Sequence, residues 1–187
     1  NISDLGGGTG TVTTDNDASC FGTCDGQASI SLVGGSTPFT YAWDDPSTQT
    51  TATATGLCVG TYNVSVTDAV GCLVTGMATI AEPGAIILGV SGIDATCFGI
   101  CDGSATTTVS GGTTPYTYAW NTSPVQVTSN ATGLCAGNYS VTVTDANACD
   151  TIETVAINEP LDIVVTTTTI TSTCGQANGS ATASVTN

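Results

Sequence analysis

The chain predicts an all-β fold: tandem Ig-like antiparallel β-sandwich repeats carrying disulfides. Three observations predict it. Apolar residues alternate with polar ones, as in "GNYSVTVTDA" at 137–146, where Tyr139, Val141 and Val143 point one way and Asn138, Ser140, Thr142 and Thr144 the other. Period two with abundant Thr and Val is the pattern of a half-buried strand. Short turn signals bound these runs, and no stretch shows the 3.6-residue period of a helix. The third observation is a repeat: "GGSTPFTYAW" at residue 34 returns as "GGTTPYTYAW" at residue 111, 77 residues later.

The period holds without a gap from Cys20 to Pro160. Cys20, Cys24, Cys58 and Cys72 recur as Cys97, Cys101, Cys135 and Cys149. Trp43 recurs as Trp120, Asp68 as Asp145, and Glu82-Pro83 as Glu159-Pro160. "STCGQANGSATASVTN" matches "ATCFGICDGSATTTVS" after one deletion and opens a third copy. Fixed-period similarity signals an array. The division expected is residues 1–6 as the end of a preceding repeat or a linker, 7–83 as repeat 1, 84–160 as repeat 2 and 161–187 as the first strands of an incomplete repeat 3.

Six or seven short strands in about 77 residues suit a sandwich with Ig-like connectivity, strands A to G. Gly34-Gly35 and Gly111-Gly112 form the B–C turn. The stripes ending at Trp43 and Trp120 then fill the inner face of strand C, each Trp anchoring its core. In "GLCVGTYNVSVTD" and "GLCAGNYSVTVTD", Tyr62 and Tyr139 sit where a tyrosine corner begins strand F, bonding back to the E–F loop. "DAV" and "DAN" make the F–G turns, and "EPGA" and "EPLD" the junctions.

Composition narrows the function. Lys, Arg and His are absent, and 15 Asp plus Glu give a net charge of −15. Nucleic acid is excluded as a partner, since its phosphates demand cations. No run approaches the ~18 apolar residues of a membrane span, so no membrane insertion is expected in this segment. Nucleophilic catalysis lacks a base to activate Ser, Thr or Cys. Asp44-Asp45 does not repeat as a carboxylate pair, because repeat 2 has Asn121-Thr122 there. No enzyme is expected. Isopeptide cross-links, which require Lys, are excluded, and so is every trypsin site.

Nine cysteines without a histidine argue for disulfides, and hence for an oxidising, extracytoplasmic setting. The C-x3-C and C-x13-C spacings do not make the paired knuckles of a thiolate zinc site. An Ig-like order places the A–B and E–F loops at one end, which pairs Cys24 with Cys58 and Cys101 with Cys135. The A–B and F–G loops lie at opposite ends, so a bond from Cys20 to Cys149 of the following repeat is one alternative for the remainder. No cofactor is expected. The alternative is calcium at repeat junctions, through Asp25/Asp102, Asp68/Asp145 and Glu82/Glu159, against which stands a turn-forming and capping role.

At "CFGTCDGQASI", "GGSTPFTYAW", "GLCVGTYNVSVTDAVGC" and "IAEP", with their second copies, the chain resembles the SprB-repeat family, and more distantly PKD-like Ig modules. The resemblance implies long bacterial cell-surface proteins, exported by type IX secretion and acting as adhesins, including a gliding-motility filament. It brings no catalytic residues. Members with two cysteines imply that Cys20 pairs with Cys72 and Cys97 with Cys149 inside each repeat. Cys24, Cys58, Cys101 and Cys135 look like an addition to that pattern. The expected function is thus a structural repeat region of an extracellular filament or adhesin on the bacterial surface, disulfide-stabilised beads in a rod. Its partners are neighbouring repeats and possible surface glycans. The alternative is a carbohydrate- or protein-binding module of a secreted protein.

Overall fold

Alternating Thr, Ser, Val and Ile residues give a chain of extended segments separated by glycine turns. The computed structural model describes residues 2–3 and 8–186. Most of 1–6, assigned above to a preceding repeat or linker, therefore lies outside the described residues, as does Asn187. No helix occurs among the described residues.

The strands in chain order are β1 (Ile2–Ser3), β2 (Thr9–Asn16), β3 (Gly26–Val33), β4 (Thr40–Trp43), β5 (Thr53–Leu57), β6 (Gly60–Thr67) and β7 (Leu73–Ile80). There follow β8 (Ile87–Ile93), β9 (Gly103–Ser110), β10 (Thr117–Trp120), β11 (Asn130–Leu134), β12 (Gly137–Thr144) and β13 (Asp150–Ile157). The last two are β14 (Val164–Ile170) and β15 (Ser180–Thr186).

Contacts gather the chain into two compact units. The first comprises Asn1–Ile87, Ser110–Tyr116 and Thr144–Thr151, so it takes in two loops from the second sequence repeat. Its strands form one sheet in the order β1-β2-β3-β5 and another in the order β4-β6-β7. Neighbouring strands pair antiparallel, for example Val12 with Ile30 and Trp43 with Val64. With β2 to β7 read as A, B, C, E, F and G, the sheets are ABE and CFG, the Ig-like arrangement.

Between the sheets lies one core containing Ala28, Ile30, Trp43, Leu57, Val64, Val66 and Ile80. Strand β3 shows how alternation builds it: Gly26, Ala28 and Ile30 are buried while Gln27 and Ser29 are not. Gly26 itself is required by the close approach. A Cβ there would lie 2.6 Å from Ile80 Cγ2 and 2.9 Å from the Leu57 carbonyl oxygen. At the B–C turn, Gly34 and Gly35 adopt φ of 82° and 83°, which L side chains resist.

The second unit comprises Leu88–Val109, Thr117–Val143 and Ile152–Asn187. Its sheets run β11-β9-β8 and β10-β12-β13, with β14-β15 as a separate antiparallel hairpin. Trp120, Leu134, Val141, Val143 and Ile157 fill its core. Both units are thus Ig-like β-sandwiches, and the hairpin is exposed along its whole length.

Candidate functional site

The chemistry-bearing residues of this chain are its cysteines and the loops that present them. The A–B loop of repeat 1 runs from Asp17 to Asp25, between β2 and β3. Its shape follows from short polar side chains binding backbone groups. Asp25 accepts from Ser19 N at 2.9 Å and from Ser19 Oγ, while Thr23 Oγ1 accepts from Cys20 N at 3.0 Å. Gly22 N donates to Glu82 Oε2 at 2.7 Å, tying the loop to the start of the junction. These hydrogen bonds hold the Asp25 carboxyl below the usual carboxylate range, the Ser19 hydroxyl contributing most. Repeat 2 reproduces the device: Thr96 N and Oγ1 donate to Asp102, and Gly99 N to Glu159 at 2.7 Å.

From this loop two disulfides depart. Cys24 is bonded to Cys58 of the E–F loop, and Cys101 to Cys135. Cys20 is bonded to Cys149, with their Cα atoms 5.7 Å apart and a sequence separation of 129. The intra-repeat pairing expected from two-cysteine relatives is therefore corrected. Cys72 does not pair with Cys20, nor Cys97 with Cys149; Cys72, Cys97 and Cys174 are free thiols. The physical reason is the sandwich itself. Within a repeat, a strand's length separates the A–B loop from the F–G turn, whereas the F–G turn of the following repeat belongs to the same compact unit as Cys20.

The F–G turn is as firmly built as its partner. Asp145 accepts from Thr113 N at 2.8 Å and from Asn147 N and Cys149 N at 2.9 Å each. Burial disfavours its charge, yet these bonds prevail and hold its carboxyl below the usual range. Asn147 Nδ2 then donates to Ser19 O at 2.9 Å, beside the disulfide. In repeat 1 Asp68 accepts from Cys72 N at 2.8 Å and Ser36 N at 3.1 Å. Those bonds, that to Cys72 first, also lower its pKa.

The aromatic residues singled out by sequence lie mostly inside. Trp43 and Trp120 are 3% and 1% exposed, and their indole N–H groups donate to Thr51 O at 2.9 Å and Thr128 O at 3.0 Å. Buried rings of this kind are unavailable as a sugar-stacking platform. Tyr62 is buried and donates to Cys58 O at 3.0 Å. Tyr139 makes the same bond to Cys135 O at 3.1 Å but is only half-buried, so it closes the corner without belonging to the core.

The carboxylates weighed for calcium, Asp25, Asp68, Glu82 and their copies, each receive backbone N–H groups as described. Among the described residues no three His, Cys, Asp or Glu side chains gather as a metal site. Two features escaped sequence reasoning. Asn147 leaves no periodic signal, because Val70 occupies its place in repeat 1. Gln49 and Gln126 do stand one period apart, and each side chain bridges its loop to strand E. Gln49 Nε2 donates to Thr55 O at 2.9 Å, and its Oε1 accepts from Thr55 N at 3.0 Å.

With this geometry in hand, comparison places two segments of the chain, residues 11–48 and 93–125, in a match to the SprB repeat family. The matches end 77 residues apart, at the sequence period, and show the resemblance at both copies. No curated protein matches the chain. Among solved structures, the amphioxus IgVJ-C2 molecule is 14% identical over 80% of this chain and 96% of its own, with a TM-score of 0.32. The two-domain DIP-gamma IG1+IG2 is 11% identical over 83% and 98%, with a TM-score of 0.37. A tetra-tandem repeat from the extending region of a large adhesion protein is 13% identical over 96% and 62%, with a TM-score of 0.28. The Ig-like assignment itself stands on the strand order given above.

Proposed function

We propose that this chain is a structural, non-enzymatic segment of a long extracellular repeat protein, a filament or adhesin of the bacterial surface, in which disulfides carry tension from repeat to repeat. The observation that carries this reading is the Cys20–Cys149 bond, which joins the A–B loop of one copy to the F–G turn of the next rather than closing one copy on itself. A covalent bond of that kind keeps a pulled chain from extending through the residues it encloses. Disulfides persist in oxidising compartments, which favours an extracellular setting. The SprB-repeat matches support surface display, and type IX export with a part in adhesion or gliding is the finer portion of the same proposal.

Single-molecule extension tests it. The Cys20–Cys149 bond spans a sequence separation of 129. At ~3.5 Å per extended residue, reduction releases about 450 Å of contour length that the oxidised chain withholds. Equal unfolding lengths with and without reductant remove the tension-carrying role.

A further inference from the structure

We infer that the A–B loop of repeat 2 is a covalent docking site, at Cys97, for the F–G cysteine of a following copy of this repeat. Cys97 occupies in repeat 2 the position that bonded Cys20 occupies in repeat 1, and its thiol is free and exposed. Its loop is already in the bonded form. Thr96 N donates to Asp102 at 2.9 Å as Ser19 N does to Asp25, Gly99 N is held by Glu159, and Cys101–Cys135 fixes the loop's end. The turn at the cysteine is also shared, Ile100 N donating to Cys97 O at 3.2 Å as Thr23 N does to Cys20 O at 3.1 Å, although Ile100 lacks the hydroxyl with which Thr23 binds Cys20 N.

A second observation says what covers the site. In repeat 1 the junction after Glu82 is packed: Gly84 O accepts from Gly112 N at 2.8 Å, and Ile86 is half-buried against Gly112. One period on, Leu161 and Ile163 take the places of Gly84 and Ile86 and are 73% and 67% exposed. The surface that covers the earlier junction comes from the B–C and F–G loops of the next copy, the same loops that deliver Cys149. A following copy therefore supplies both the missing apolar cover and the missing sulfur. Cys72 is the complementary half, an F–G cysteine awaiting an A–B loop, although Val70 stands in place of Asn147 and its link forms with one hydrogen bond fewer.

Bond formation balances by thiol–disulfide exchange with a small disulfide such as oxidised glutathione. The Cys97 thiolate attacks the disulfide, forming a mixed disulfide and releasing one glutathione thiol. The thiolate of the F–G cysteine then attacks the Cys97 sulfur and expels the second. Two protein thiols are oxidised, and one small disulfide is reduced to two thiols.

The test extends the chain by placing a second copy of residues 111–160 in place of Asn187, which completes repeat 3. The appended copy carries Cys135→Ser, because repeat 3 has Ala177 where that cysteine's partner would stand. After refolding in a glutathione redox buffer, thiol labelling and peptide mapping with a Glu- or Asp-directed protease identify the bonds. The expected result is a bond between Cys97 and the appended F–G cysteine, with Cys72 and Cys174 labelled, and loss of that bond with the appended thiol exposed in Cys97→Ser. A bond from Cys174 to the appended cysteine, or labelling of Cys97 in the folded chain, overturns the inference. The inference rests on the repeat reading but not on tension-carrying, which the extension experiment decides separately.

Discussion

The two sandwiches meet one structural demand with different atoms in the loop after strand C. In repeat 1, Asp45 is 3% exposed and accepts from Gln49 N at 2.8 Å, Ser47 N at 3.0 Å and Gln49 Nε2 at 3.1 Å. In repeat 2 the same place holds Thr122, whose Oγ1 accepts from Gln126 N at 3.0 Å and donates to Pro124 O at 2.8 Å. Asp44 and Asn121 differ likewise, yet each receives a strand F amide, from Asn63 N at 2.7 Å and Ser140 N at 2.9 Å. Inside the cores, Ile30 of β3 is matched in β9 by Thr107, buried at 4% with no hydrogen-bond partner for its Oγ1. The architecture thus demands an acceptor or an inward side chain at these places and tolerates several chemistries, but not at equal stability. Among the positions that do not vary between copies are the Trp, the Gly-Gly turn and the Cys24–Cys58 clasp. Repeat 1 is accordingly the better-satisfied copy.

The largest expected effect tests what the copies share. Removing the clasp with Cys24→Ser and Cys58→Ser opens a 34-residue loop, costing roughly 3–4 kcal/mol in the chain-entropy account. The matching pair Cys101→Ser and Cys135→Ser opens a loop of the same 34-residue span and carries the same cost. Residue-resolved hydrogen exchange reads each copy separately. Unequal losses would show that the clasps do different jobs.

How much of this was readable from sequence depends on whether the demand is local. Trp43, Gly34-Gly35 and the Cys24–Cys58 clasp answer a strand's inner face, a positive φ and the adjacency of two loops at one end of an Ig-like order. Each leaves a mark in pattern or spacing. The partner of Cys20 was legible only as an alternative: the A–B and F–G loops lie at opposite ends of an Ig-like order, which pointed to Cys149 of the following repeat, and the structure has that bond. Relatives with two cysteines pointed to Cys72 instead, and no run of residues decides between the two, because the choice depends on which loops of successive copies come near each other. Asn147 was hidden for the same reason, having no counterpart one period earlier. Gln49 and Gln126 were visible as a repeated residue, but their bridging role needed the fold of the loop.

A smaller effect separates the two copies by pH. Burial of Asp45 disfavours its charge, but the hydrogen bonds from Gln49 and Ser47 outweigh this and hold its carboxyl below the ordinary range. A depressed folded pKa means the stabilisation is fully present above the unfolded value near 3.9 and is lost as pH falls through the lower folded value. Asp45→Ala should cost about 2 kcal/mol at pH 7, as expected for hydrogen bonds to a charged group. That deficit should shrink as pH falls towards 2. Thr122→Ala should cost about 1 kcal/mol with no pH dependence of its own. Thermal unfolding across pH 2 to 7 checks both, and a deficit for Asp45→Ala that stays constant would rule out the carboxylate as its source.

The smallest effect is a gain, and it bears on the hydroxyl that the core of repeat 2 leaves unpaired. Thr107 is not merely a smaller residue than Ile30, because its hydroxyl was removed from water and found no partner. A buried hydroxyl left unpaired costs about 1–3 kcal/mol relative to a paired one. The backbone is not at fault: Thr107 N donates to Ser129 O at 2.8 Å, so the strand pairing is intact and the cost belongs to the side chain. Thr107→Val keeps the β-branched shape that suits β9 and replaces the hydroxyl with a methyl of similar volume. It should raise the stability of repeat 2 by about 1 kcal/mol while leaving repeat 1 unchanged, a difference that hydrogen exchange in β9 and β12 measures directly. Ile in place of Val brings a further methylene that repeat 1 accommodates in the core that holds Ile30 and Trp43, so Thr107→Ile should match or exceed the gain. Should Thr107→Val instead destabilise repeat 2, the hydroxyl has a partner in solution, and the inequality between the two cores must come from elsewhere.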